Sequence, residues 1–175
     1  MSSILTTHVG SLPRSRELSE LLFKKDKGES FDKNLFDDVV KKNVEQIVSR
    51  QLDVGIDVIS DGEMSKISYA TYVKDRLKGF SGESERRAPA DLDDFPKYKD
   101  KIAKSGGTPT YTRPCCTSGL ELQDEESLKK DISNFSNALS GASHKKGFLN
   151  AASPGVISVF MPNKFYQDDD EYMEK

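Results

Sequence analysis

The chain has 175 residues, 26 of them Lys or Arg and 29 Asp or Glu, for a formal net charge of -3. That length is enough for one domain with its own core, and so even a balance excludes the clustered basic excess of a nucleic-acid footprint. No apolar run approaches the roughly 20 residues of a membrane span, and Met1 to Gly10 lacks the basic start and apolar stretch of a secretory signal, so the expectation is a cytoplasmic protein with neither nucleic acid nor membrane as partner.

Ile4-Leu5-Thr6-Thr7-His8-Val9 is β-branched and apolar and runs into Gly10, which reads as a first strand. Pro13 ends it. Leu18, Leu21 and Leu22 fall at helical spacing within a short helix over Glu17 to Lys25, and Gly28-Glu29-Ser30 breaks that helix. From Leu35 the apolar residues Val39, Val40, Val44, Ile47, Val48 and Leu52 mark one face of a long helix. Asp37 and Asp38 are expected in its first turn, where the helix dipole favours acid, and Gly55 closes it. Ile56 to Ser60 reads as a second strand, ending in Asp61-Gly62-Glu63. Tyr69 to Leu77 reads as helical again.

From Gly79 to Gly107 the composition shifts to Gly, Pro, Ser and charges, including Arg86-Arg87 and Asp91 to Asp94, as in an excursion off a scaffold. Thr110 to Arg113 and Cys115 to Leu122 read as extended chain, the latter as a third strand. A helix begins at Asp124-Glu125-Glu126, with Leu128, Ile132, Phe135 and Leu139 as its expected buried stripe, and Gly141 ends it. Gly147 to Ala152 is a fourth strand, broken by Ser153-Pro154-Gly155. Val156 to Met161 is apolar, and Asp168 to Lys175 opens another helix. Alternation of this kind predicts a parallel sheet with helices outside, in one domain over 1–175 with an excursion at about 79–107. Cys115 and Cys116 are the only cysteines; adjacent thiols build no disulfide framework and lack metal-ligand spacing.

In parallel α/β folds the strand ends face one crevice. After the first strand, Gly10 permits close approach of a ligand to the backbone, and Ser11 offers a hydroxyl and an amide to a carboxylate; a plain turn into Pro13 is the alternative. After the second, Gly62 allows a sharp turn and leaves Glu63 to hold an ammonium group, or simply to be a solvated turn acid. A carboxylate-binding Ser and an ammonium-binding Glu on neighbouring strands describe an amino-acid pocket.

Three stretches resemble the cobalamin-independent methionine synthase family, especially its shorter single-barrel relatives. They are Leu5-Thr6-Thr7-His8-Val9-Gly10-Ser11-Leu12-Pro13-Arg14, the run from Arg50 to Glu63, and Ala151-Ala152-Ser153-Pro154-Gly155-Val156-Ile157. The resemblance implies a TIM-type (β/α)8 barrel, of which this chain holds about the first four βα units. It implies methyl transfer from a methylated tetrahydrofolate to a thiol such as homocysteine, activated on zinc. It assigns the carboxylate end of the amino acid to Gly10 and Ser11, and its amino group to Glu63.

The zinc ligands of such enzymes, a His-x-Cys pair with a later Glu and Cys, have no match in this sequence. His8 stands where methionine synthases carry Thr, and is either a pocket residue or a hydrogen-bonded core histidine. No catalytic and no metal-ligating residue is therefore expected. A barrel of this type needs roughly 250 residues, so the expectation is a fragment, or a chain completed by a second chain or by a homo-oligomer. Three readings follow: the front half of a zinc-dependent methyltransferase, inactive alone; a half-barrel that binds an amino acid or folate without turnover; and a degenerate product dependent on a partner.

Overall fold

Ser15 sets the first boundary. Its backbone is extended and its hydroxyl accepts from the Leu18 amide, one of the unpaired donors of a helix start. Helix α1 then runs Arg16–Asp26. Asp32 caps α2, Lys33–Asp53, by accepting from the Asn34 and Leu35 amides. That cap starts the helix earlier than expected, so its first turn holds no acidic residue and Asp37 and Asp38 lie beyond it. This computed structural model describes residues 4–84, 90–104, 112–142 and 145–175.

Strand β1, Val58–Ser60, follows α2 directly. It pairs in parallel with β4, Lys146–Phe148, Val58 opposite Lys146 and Ser60 opposite Phe148. Thr7 forms a parallel bridge to Val58. The first expected strand is thus reduced to one bridged position, reinforced by Asp57, whose carboxylate accepts from the Thr6 amide at 2.9 Å and the Thr6 hydroxyl at 2.8 Å. Those bonds hold the Asp57 carboxyl below its ordinary pKa. Ile4, Leu5 and Val9 stay exposed along this edge.

The core lies on the helical side of these strands. Phe36, Val39, Val40, Val44, Ile47 and Val48 of α2 pack with Leu18, Leu21 and Leu22 of α1 and with Ile59. Phe135 joins them from α4, Glu126–Leu139. The expected stripe on α4 is only half buried: Leu128 and Ile132 are 51% and 47% exposed. The reason is where the helix meets its neighbours. Its C-terminal half packs by Phe135, Ala138 and Leu139, while the preceding turns are held by ion pairs, Lys130 to Asp37 and Arg76 to Asp131.

Cys115–Leu122 is not a third parallel strand. As β3 it runs antiparallel to β2, Leu77–Ser81, in a separate two-stranded ribbon with Phe80 opposite Cys116. The ladder slips between Lys78 and Phe80. Gly79 sits there at φ 107, where a Cβ would come within 2.9 Å of the Ser118 carbonyl oxygen, so only glycine fits. The four expected parallel strands therefore become three parallel segments, and the described residues close no barrel.

Between β2 and β3 lies α3, Pro96–Lys104; Arg86-Arg87 and Thr110-Tyr111 lie outside the described residues, as does His144. A short 3-10 turn at Thr71–Asp75 replaces the expected helix before the ribbon. Lys74 within it pairs at 2.7 Å with Asp26, whose side chain is fully buried. The chain ends in α5, Pro154–Phe160, capped by Ser153, and α6, Asp169–Glu174. No helix among the described residues is long and apolar enough to cross a membrane.

Candidate functional site

The loops that leave the first segment and β1 are stitched together by the Leu12 amide, which donates to the Gly62 carbonyl at 3.0 Å. Gly62 is required there. Its φ is 63, and a Cβ would lie 2.9 Å from Met64 Cε and 3.0 Å from Leu12 Cβ. The next residue, Glu63, also has left-handed backbone, at φ 57, which is uncommon for a residue with a side chain. Such a conformation persists where its surroundings over-determine it. Here the Glu63 amide donates to Asp61 Oδ1 at 3.1 Å, and the Glu63 carbonyl accepts from Arg14 Nη2 at 2.9 Å. The same Arg14 nitrogen donates to the Lys66 carbonyl at 2.8 Å.

This backbone fixes where the Glu63 carboxylate goes. Oε2 accepts from the Ser11 hydroxyl at 2.5 Å, and Oε1 accepts from Asn150 Nδ2 at 3.0 Å. Lys66 Nζ in turn donates to the Asn150 carbonyl at 2.5 Å and lies 4.8 Å from the centre of the Tyr72 ring. Three strand ends therefore converge on one acid that is 2% exposed. It faces a cleft of about 320 Å³ lined by Val9, Gly10, Ser11, Glu63, Tyr69, Asn150 and Ala151. Tyr69 forms an aromatic wall, its ring meeting Phe160 edge-on at 5.1 Å.

Of the residues singled out in the sequence, Gly10, Ser11 and Glu63 line this cleft together. His8 is not among its lining residues, and His8 Nε2 is buried with no hydrogen-bond partner among the described residues. The Ser11 hydroxyl donates to Glu63, not outward to the cleft. Sequence reasoning missed Asn150 and Lys66, and saw Arg14 only as the end of a motif. Asn150 carried one signal, as the polar residue in the apolar run Phe148 to Ala152.

Burial lowers the pKa of Arg14, opposed by the nearby charges of Glu63 and Asp61. Burial raises the pKa of Asp61, more than its bond from the Glu63 amide and the charge of Lys66 lower it. A raised folded-state pKa means that Asp61 stabilises the fold best in acid, below the unfolded carboxyl's pKa, and that this contribution fades as pH rises through its folded value. Asp61→Asn keeps the acceptor for Glu63 and deletes the buried charge. The variant is expected to unfold at higher denaturant than the wild type at neutral pH, with the gap narrowing on acidification. A gap that widens in acid would contradict the burial of Asp61.

The residues present do not fit a zinc centre. Among the described residues no three His, Cys, Asp or Glu side chains converge as a metal requires. Cys115 and Cys116 are buried in the ribbon, and burial raises the Cys116 thiol above its ordinary pKa, away from the thiolate that a metal binds. The cleft thus presents a buried carboxylate, Glu63, beside the apolar Val9 and the ring of Tyr69.

Residues 4–88 match the family described as cobalamin-independent synthase, catalytic domain. The 5-methyltetrahydropteroyltriglutamate–homocysteine methyltransferase of Bifidobacterium longum (strain NCC 2705) is 31% identical over 75 residues, 43% of this chain and 10% of that protein. The protein of the same name from Bifidobacterium animalis subsp. lactis is 27% identical over the same length. The chain thus spans about a tenth of the length of these curated relatives. A B12-independent methionine synthase from Shewanella sp. W3-18-1, solved in complex with selenomethionine, shares the fold, with a TM-score of 0.62 at 15% identity. That likeness covers 96% of this chain and 43% of the other.

Proposed function

We propose that this chain, related over residues 4–88 to the cobalamin-independent methionine synthases, forms the amino-acid-gripping side of a methionine synthase-type pocket. The observation that carries this reading is Glu63, a buried acid held from both sides by Ser11 and Asn150 at the wall of an open cleft. Its carboxylate receives the ammonium group of homocysteine or methionine. The backbone of Gly10 and Ser11 faces the carboxylate end, and Tyr69 the sulfur-bearing chain, since thioethers pack well at aromatic rings. Selenomethionine bound in the Shewanella protein is the same chemical class.

In this reading the fold is the front part of a (β/α)8 barrel with three βα units, and the methyl donor is a methylated tetrahydrofolate. A zinc ion would supply thiol activation in such chemistry, held by residues other than those described in this chain. The unfit donor set favours a second reading as well: a module that binds the amino acid and does not turn it over. Co-expression with a segment supplying the remaining strands separates the two, because only the first predicts methyl transfer to homocysteine.

Calorimetric titration with methionine and homocysteine tests the grip itself. The wild type is expected to release heat with each, and Glu63→Ala to weaken binding by about a hundredfold, as for loss of a charge-assisted partner worth roughly 2–3 kcal/mol. Unchanged binding by Glu63→Ala would remove Glu63 from the site.

A further inference from the structure

Glu63 alone is a weak grip, because a carboxylate on a turn can swing among rotamers and lose entropy on capturing a ligand. Its two oxygens are not equivalent in what holds them. Ser11, on the loop paired to Gly62, fixes Oε2. Asn150 fixes Oε1 from a strand end 87 residues away in sequence. Asn150 is itself anchored through its main chain, where Nζ of the buried Lys66, lying against the Tyr72 ring, donates to the Asn150 carbonyl. Lys66 starts three residues after Glu63, and its amide donates back to the Glu63 carbonyl at 3.1 Å. The Glu63–Lys66 turn therefore reaches Asn150 twice, once by side-chain acid and once by side-chain ammonium.

Satisfying a buried acid does not by itself require this. A buried carboxylate needs donors, and one from Ser11 would satisfy it in part. What the double tie adds is a fixed direction, together with the left-handed Glu63 backbone that Arg14 and Asp61 hold in place. We propose that Asn150, anchored by Lys66, is a positioning residue that locks the Glu63 carboxylate toward the cleft and so sets the site's preference for ligands bearing a primary ammonium. This rests on the assignment of Glu63 as the ammonium acceptor.

The test uses the whole chain with two probes, methionine and its desamino analogue 4-(methylthio)butanoate. Asn150→Leu is expected to weaken methionine binding by about tenfold, as for one lost hydrogen bond to a charged group, and to leave the affinity for the desamino analogue unchanged. Equal losses for both probes would mean a merely structural role and overturn the proposal. A second measurement needs neither the ligand nor that variant. In the wild type the Asn150 carboxamide protons should exchange slowly with solvent in nitrogen-edited NMR spectra, and in Glu63→Ala they should exchange like those of an exposed Asn. Fast exchange in the wild type, or no change in Glu63→Ala, overturns the lock. A wild type that shows the lock but binds no methionine instead defeats the assignment of Glu63 as ammonium acceptor, and with it the proposed preference.

Discussion

Leu18→Ala is expected to lower the unfolding free energy by about 2–5 kcal/mol, the range for truncating a fully buried leucine when the cavity cannot collapse. Leu18 has no exposed surface and stands one turn after the Ser15 cap, wedged between α1 and α2 in the main cluster. Against a total of about 5–15 kcal/mol for a domain, this is a large fraction. Urea unfolding followed by far-ultraviolet circular dichroism measures it, as a lower midpoint with an unchanged slope. A loss below about 1 kcal/mol would mean that the site relaxes fully or that α1 is not seated as described.

The same variant reaches the cleft indirectly. Arg14 immediately precedes the Ser15 cap, and the Ser15 amide is tied to Asn43 of α2 at 3.0 Å. Loosening α1 therefore loosens the guanidinium that holds the Glu63 carbonyl.

Gly147→Ala carries the second large effect, expected at about 1–3 kcal/mol of destabilisation from overpacking. A Cβ at residue 147 would lie 2.7 Å from Phe135 Cζ and 2.9 Å from Leu139 Cδ2. Helix α4 thus rests directly on the backbone of β4, and nothing larger than hydrogen fits between them. Phe135 is buried, so its ring has little room to turn away. The double variant Gly147→Ala with Phe135→Leu is expected to be less destabilised than the sum of the two single variants, because the smaller side chain accepts the methyl. Residues in contact couple in this way. Strict additivity in thermal or urea unfolding would show that α4 does not seat on Gly147.

Much of the helical layer was legible in the residues because it is local. Val39, Val40, Val44, Ile47 and Val48 repeat at the spacing of one helix face, and all are buried on α2. Even here the helix starts ahead of the acids Asp37 and Asp38, because Asp32 caps it. The stripe on α4 shows the limit of periodicity: it names the apolar face but not how much of that face another element covers. Leu128 and Ile132 share the stripe of Phe135 and remain half exposed.

The strands divide along the same line. Cys115–Leu122 was recognisable as extended chain, yet its direction of pairing was not, because β-branched and small residues serve parallel and antiparallel ladders alike. Its partner, Leu77–Ser81, straddles the expected helix end at Leu77 and the start of the excursion at Gly79. Only the three-dimensional pairing turned four expected parallel strands into three parallel segments and a ribbon.

By itself, then, the sequence determined the apolar faces of α1 and α2, the breaks near Gly28, Gly55 and Gly141, and the short motifs Gly10-Ser11 and Gly62-Glu63, all of which depend on neighbours within a few positions. The tertiary structure alone decided that the Ser11 hydroxyl turns to Glu63, that Arg14 holds a left-handed residue, and that Asn150 completes the grip from 87 residues away. Those contacts join loops from different strand ends, and a hydrogen bond across such a distance leaves no period or spacing in the chain to be read.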